Sequence, residues 1–119
     1  KKLSANFTVK EFACKDGSDA VLTAPRLVMV LQSIRSHFAA PVVIHSAYRT
    51  PQYNAEVGGA AHSQHCYGTA ADISVRGQTP AAVAAYAREL MPDWGGVGVY
   101  AGQGFTHIDV RETRSDWTG

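Results

Sequence analysis

Cysteine is scarce: Cys14 and Cys66 are the only two in 119 residues. They stand far apart, without the paired spacing of a zinc ribbon or a dithiol redox motif, so a cysteine-built metal site is not expected. One disulfide in an oxidising compartment, or two free or partly buried thiols, exhausts what they can do, and free thiols are the simpler expectation. Long apolar runs are also missing. Nothing approaches the roughly 20 residues needed to span a bilayer, and no signal-peptide pattern opens the chain, which leaves a cytosolic protein, a mature secreted form or an excised piece. Basic runs are missing too: the formal net charge is +1 and the longest such run is Lys1-Lys2, so nucleic acid and anionic membranes are not expected partners. Internal repeats and low-complexity segments are absent. What remains, 45% apolar and 18% charged residues, is the balance of one compact domain spanning the chain.

Along the chain, Thr8 with Glu11 three residues on is a capping box before a short helical turn. A turn-rich stretch over Lys15 to Asp19 follows. From Thr23 to about Ala39, Leu27, Val30, Leu31, Ile34 and Phe38 recur at helical spacing and predict the main core helix. Val42 to Tyr48 is β-branched enough for a strand, and Arg49 stands at its end. Thr50-Pro51 and Thr79-Pro80 each put a capping residue before a proline, predicting a short helix to about Val57 and a second amphipathic helix to about Met91. In the last third, Ala101 to Gly104 separates two strand-like runs, Gly95 to Tyr100 and Phe105 to Val110, as a hairpin. Short strands arriving after helices, without regular alternation, predict an α+β fold: a small, mainly antiparallel sheet with two or three packed helices.

The centre of the sequence is Ser63 to Asp72, where His65 and Asp72 stand seven residues apart across Gly68. By the two-residue period of a strand, Asp72 faces away from Ala71, Ile73 and Val75. His107 on the later strand run offers a second histidine, and three nitrogen or oxygen ligands of this kind are what a catalytic zinc needs while keeping a position open. His37, His45 and His62 are expected to be structural: one near a helix C-terminus, one in a strand, one in a polar loop. Cys66 adjoins His65 but points elsewhere if His65 faces a metal. A Cys66–His65 thiol hydrolase is disfavoured, since sequence neighbours on a loop rarely present nucleophile and base to each other.

The pattern Ser63-x-His65-x-x-Gly68-x-Ala70-x-Asp72, followed by Gly96-Val97-Gly98-Val99-Tyr100 and His107-x-Asp109, resembles the zinc D,D-peptidases that act on bacterial cell-wall peptides. That superfamily also contains the hedgehog signalling domain. The likeness extends to Ser46-Ala47-Tyr48-Arg49 and to Glu11-Phe12, covering about Phe7 to Arg111, and is nearest to the short murein-endopeptidase and phage or prophage subgroup. The resemblance implies that His65, Asp72 and His107 bind Zn2+ and that Arg49 holds a substrate carboxylate; its planar fork suits two-point recognition. Ser63 and Tyr48 belong to the same motifs and are candidate substrate contacts, although Tyr48 and Phe105 also suit a core. Two neutral imidazoles and one carboxylate leave the site near a charge of about +1, which brings the pKa of a bound water towards ~7.

The implied function is a zinc metallopeptidase, an endopeptidase or carboxypeptidase, that hydrolyses peptidoglycan stem peptides or cross-links. As a monomer in the periplasm or outside the cell, or as a phage-encoded endolysin, it would need no partner beyond that substrate. One departure concerns the general base. Relatives place a glutamate three residues before the last ligand or a histidine two before it; here Gly104 and Phe105 stand there. Asp109 is then the candidate catalytic group, acting on the bound water or orienting His107. In a second register Asp109 is the third ligand and His107 the catalytic group; imidazole suits zinc and favours His107 as ligand. With the usual base missing, a zinc-stabilised cell-wall or protein-binding module without turnover is the alternative.

Overall fold

The computed structural model describes residues 1–18 and 20–119. Its helices are α1 (Pro25–Phe38), α2 (Pro51–Glu56) and α3 (Pro80–Leu90), each opening on proline. Proline lacks only an N–H that a first helical turn leaves unpaired, and its fixed φ already suits the helix. The hydroxyl oxygens of Thr50 and Thr79 accept from the N–H groups of Tyr53 and Ala82 at 3.1 Å, caps worth about 1 kcal/mol each. A 3-10 turn, Val9–Phe12, follows Thr8, whose backbone N–H donates to Glu11 Oε1 at 2.8 Å as the capping box requires. The turn expected over Lys15 to Asp19 is described as far as Ser18, whose N–H donates to Asp16 Oδ1 at 2.9 Å.

Five strands, β1 (Val42–Ser46), β2 (Ala70–Val75), β3 (Gly96–Tyr100), β4 (Phe105–Asp109) and β5 (Ser115–Thr118), form one sheet in the order β1-β2-β4-β3-β5. Every pairing is antiparallel except β3 with β5, so the fold is α+β as expected. Alternation along the strands splits the sheet into two faces. One carries Ala71, Ile73, Val97 and Ile108 into a core shared with Leu27, Leu31 and Ile34 of α1 and Val83 and Ala87 of α3. Asp72, His107 and Asp109 stand on the other face, free of helices α1 and α3.

Two local differences from the expected elements have clear causes. The first strand ends at Ser46, because its pairing with β2 becomes irregular between Ile44 and Ser46. Beyond that point the Tyr48 N–H donates to the Phe12 carbonyl at 3.1 Å. Strand β5 was not anticipated, since four residues with half-buried and exposed positions alternating carry little apolar signal. It is anchored by Arg88 of α3, whose guanidinium donates to the carbonyls of Met91, Trp94, Gly95 and Ser115 at 2.7–3.0 Å and to Asp116 Oδ1 at 2.5 Å. Cys14 and Cys66 are free thiols, Cys14 buried.

Candidate metal centre

Sheet register places two of the three expected ligands side by side. On β2 and β4, Asp72 pairs with His107 and Ala70 with Asp109. On the far side of β4, Gly98 of β3 pairs with His107 and Gly96 with Asp109. His65 arrives differently, from a 3-10 turn, Gln64–Tyr67, just ahead of β2. Ser63 caps that turn, its Oγ accepting from the His65 N–H at 3.2 Å. Gly68 closes it in the left-handed region (φ 71°), where a Cβ would also collide with the Leu22 carbonyl. That double demand explains glycine three residues after the histidine.

The three side chains are buried and converge. His65 Nε2 lies 3.3 Å from Asp72 Oδ2 and His107 Nδ1 lies 3.0 Å from Asp72 Oδ1; one donor atom from each residue falls within 4.8 Å of the others. The far nitrogen of each ring has a partner of its own. His65 Nδ1 is 2.6 Å from the Ala47 carbonyl; a carbonyl only accepts, so Nδ1 carries the proton and Nε2 presents its lone pair to the centre. His107 Nε2 donates to Asp109 Oδ2 at 2.8 Å, which turns Nδ1 inward. Two imidazoles and a carboxylate, with tautomers set from behind, are a donor set that fits zinc.

Electrostatics follow from this crowding. Burial pushes the Asp72 carboxyl up, but the two imidazoles beside it, His107 first and then His65, outweigh burial and hold the group well below the usual carboxylate range. For His107, burial disfavours the charged ring, yet the flanking Asp109 and Asp72 raise it above its ordinary value.

Asp109 is fully buried. Its Oδ1 accepts from the Gly96 N–H at 2.9 Å, the Arg111 N–H at 3.1 Å and Arg111 Nε at 2.8 Å. Its Oδ2 accepts from Arg111 Nη2 at 2.6 Å and from His107. Against the burial that raises it, these donors hold the carboxyl well below its usual range. The close approach is possible because Gly96 has no Cβ; one there would strike the Asp109 carboxylate. Asp109 therefore meets His107 from behind rather than reaching the open side of the centre.

That open side is a cleft of about 610 Å³ lined by Arg49, Ser63, His65, Asp72, His107 and Arg111, with the Val57–Ala60 loop, His62, Gln64, Tyr100, Gln103, Phe105 and Trp117 at its walls. Arg49 donates from Nε to Ser46 Oγ at 3.1 Å and from Nη1 to Asn54 Oδ1 at 3.2 Å, and its Nη2 is 3.5 Å from Asp72 Oδ2. Tyr48 is not among the lining residues; its neighbours Ala47 and Arg49 bond to His65 through their main chains, while its own N–H donates to the Phe12 carbonyl. Of the three histidines expected to be structural, His37 stacks on Tyr86 with centroids 3.7 Å apart, and His45 is bonded to Ser74 Oγ at 2.8 Å. His62 departs from that expectation by lining the cleft.

Trp117 and Arg111 went unweighed as site residues. Trp117, on the unanticipated β5, packs against His107 at 5.0 Å between centroids, and its Nε1 donates to Tyr100 Oη at 2.8 Å. Gly98 leaves the space that Trp117 fills. The repeated glycine of Gly96-Val97-Gly98 was the available signal: on one strand face, two missing side chains mark a close approach.

With this geometry in place, a protein-family model described as Peptidase M15 matches residues 3–109. The chain belongs to the peptidase M15 family. Its members are metallopeptidases, usually zinc-dependent, and the His65–Asp72–His107 cluster is where this M15 chain could hold such an ion. A comparison with curated proteins found no match.

Proposed function

We propose that this M15 protein is a zinc-dependent peptidase acting on bacterial cell-wall stem peptides or their cross-links, in the periplasm, outside the cell or as a phage lytic protein. One observation carries the reading: three buried ligands with preset tautomers meet at the floor of an open cleft rather than in a closed structural site. A zinc ion held there would supply Lewis acidity and the positive charge that makes water a nucleophile near neutral pH. The chain's own residues do the rest. His65, Asp72 and His107 hold the ion, while Asp109, itself clamped by Arg111 and Gly96, fixes the His107 ring; the burial of Asp109 favours this orienting role over proton transfer. Arg49 offers its fork to a substrate carboxylate at the cleft rim, and Ser63 lines the same wall.

A second reading, a zinc-stabilised cell-wall-binding module without turnover, draws on one feature: among the described residues, Asp72 is the only carboxylate lining the cleft. Elemental analysis of the purified protein and mass spectrometry of digested peptidoglycan decide between them. One zinc per chain with new stem-peptide fragments is expected, and Arg49→Lys should depress cleavage while retaining zinc. Zinc without cleavage of any stem peptide would establish the binding module. No zinc at all would remove both.

A further inference from the structure

Peptide hydrolysis needs a group that moves a proton from the attacking water to the departing amine, and it has to touch the cleft. Asp109 is fully buried and saturated by His107, Arg111 and Gly96. The titratable and charged groups that face the cleft, among the described residues, are Arg49 beyond β1, His62 and His65 around the 3-10 turn, Asp72 of β2, Tyr100 of β3, and His107 and Arg111 of β4 and its end. Guanidinium groups do not give up protons at working pH. Three of the others form the ligand cluster, and a phenol such as Tyr100, which accepts from the Trp117 indole, is no base for water at working pH. His62 is the one left. It is exposed, three residues before His65 on the cleft rim, and histidine is the side chain that exchanges protons near neutral pH.

Resting on the peptidase reading, we infer that His62 is the proton carrier of the cleft. As the C–O bond forms between water and the scissile carbonyl carbon, the His62 ring takes one proton from that water. As the C–N bond breaks, the ring passes the proton to the amide nitrogen, ending as it began. Water supplies every atom added, and no oxidant or further reactant is needed. The carrier thus comes from the loop just ahead of the 3-10 turn rather than from a strand.

The test compares wild type, His62→Gln and His62→Gly on stem peptides, with zinc measured on the same preparations. Both variants should keep one zinc per chain, lose roughly 10²-fold or more in kcat with little change in KM, and lose the acid limb of the pH–rate profile. Added imidazole should restore part of the turnover of His62→Gly, which a merely structural role would not allow. Wild-type rate and pH profile in both variants would overturn the assignment while leaving the peptidase reading intact, as would loss of zinc along with activity. A zinc-loaded wild-type protein that cuts no stem peptide would overturn that reading, and this one with it.

Discussion

His107 and His65 approach the same centre from regions built on different principles. His107 stands on a central strand, paired on one side with Asp72 and on the other with Gly98. Asp109 lies behind it, clamped by Arg111, and the Trp117 ring packs beside it. His65 stands on a four-residue turn whose ring is held by one bond to the Ala47 carbonyl and whose backbone is capped by Ser63. The sheet side is charged, buried and cross-braced; the turn side is local. A ligand on a sheet inherits the rigidity of its neighbours, whereas a ligand on a turn depends on caps and a glycine close by in sequence.

The sharpest way to break the comparison is Asp109→Ala. It strips a buried carboxylate from Arg111 and His107, and removing one partner of such a pair costs about 3–5 kcal/mol. Urea unfolding of chelator-treated protein should show a drop of that size, and an unchanged midpoint would mean that the brace carries no stability.

Next comes Gly98→Ala, which forces a Cβ into the Trp117 indole. Overpacking of this kind costs about 1–3 kcal/mol. Thermal unfolding should register the loss, and Trp fluorescence should shift as the ring leaves His107.

A pH series comes third. His107 is raised above its ordinary 6.5 in the folded protein, so its contribution to the metal-free fold is fully present below 6.5 and is lost as pH rises through the raised value. Zinc competes with the proton for the same ring, so stabilisation by zinc should instead grow over that interval. Melting curves with and without zinc should diverge as pH rises; parallel curves would exclude His107 as a ligand.

The smaller effect on stability belongs to the turn. His65→Ala removes a buried ring with its bond to the Ala47 carbonyl and its contact with Asp72, a loss of about 1–3 kcal/mol, and should destabilise metal-free protein less than Asp109→Ala while abolishing zinc binding by elemental analysis. A loss as large as that of Asp109→Ala would erase the distinction between the two regions.

Much of the architecture was legible because its signals are local. Thr50-Pro51 and Thr79-Pro80 marked helix starts that the structure keeps, and the Leu27-to-Ile34 spacing marked the buried face of α1. The mainly antiparallel sheet followed from short strands around a hairpin. Strand β5 was not legible, since what holds Ser115–Thr118 in place is Arg88, far away in sequence, rather than an apolar pattern of its own.

Within the centre the division is the same. The sequence by itself determined which side chains can act as ligands, that Asp72 faces away from Ile73, and that the chain turns at Gly68 between His65 and Asp72, because strand alternation and turn geometry are properties of neighbouring residues. Only the tertiary structure decided that Asp72 and His107 meet across two strands, that Asp109 is sealed behind His107 by Arg111 and Gly96, and that His62 lies on the cleft instead. Burial and partnership depend on residues brought together from distant parts of the chain, and strand register fixes them where spacing along the sequence does not.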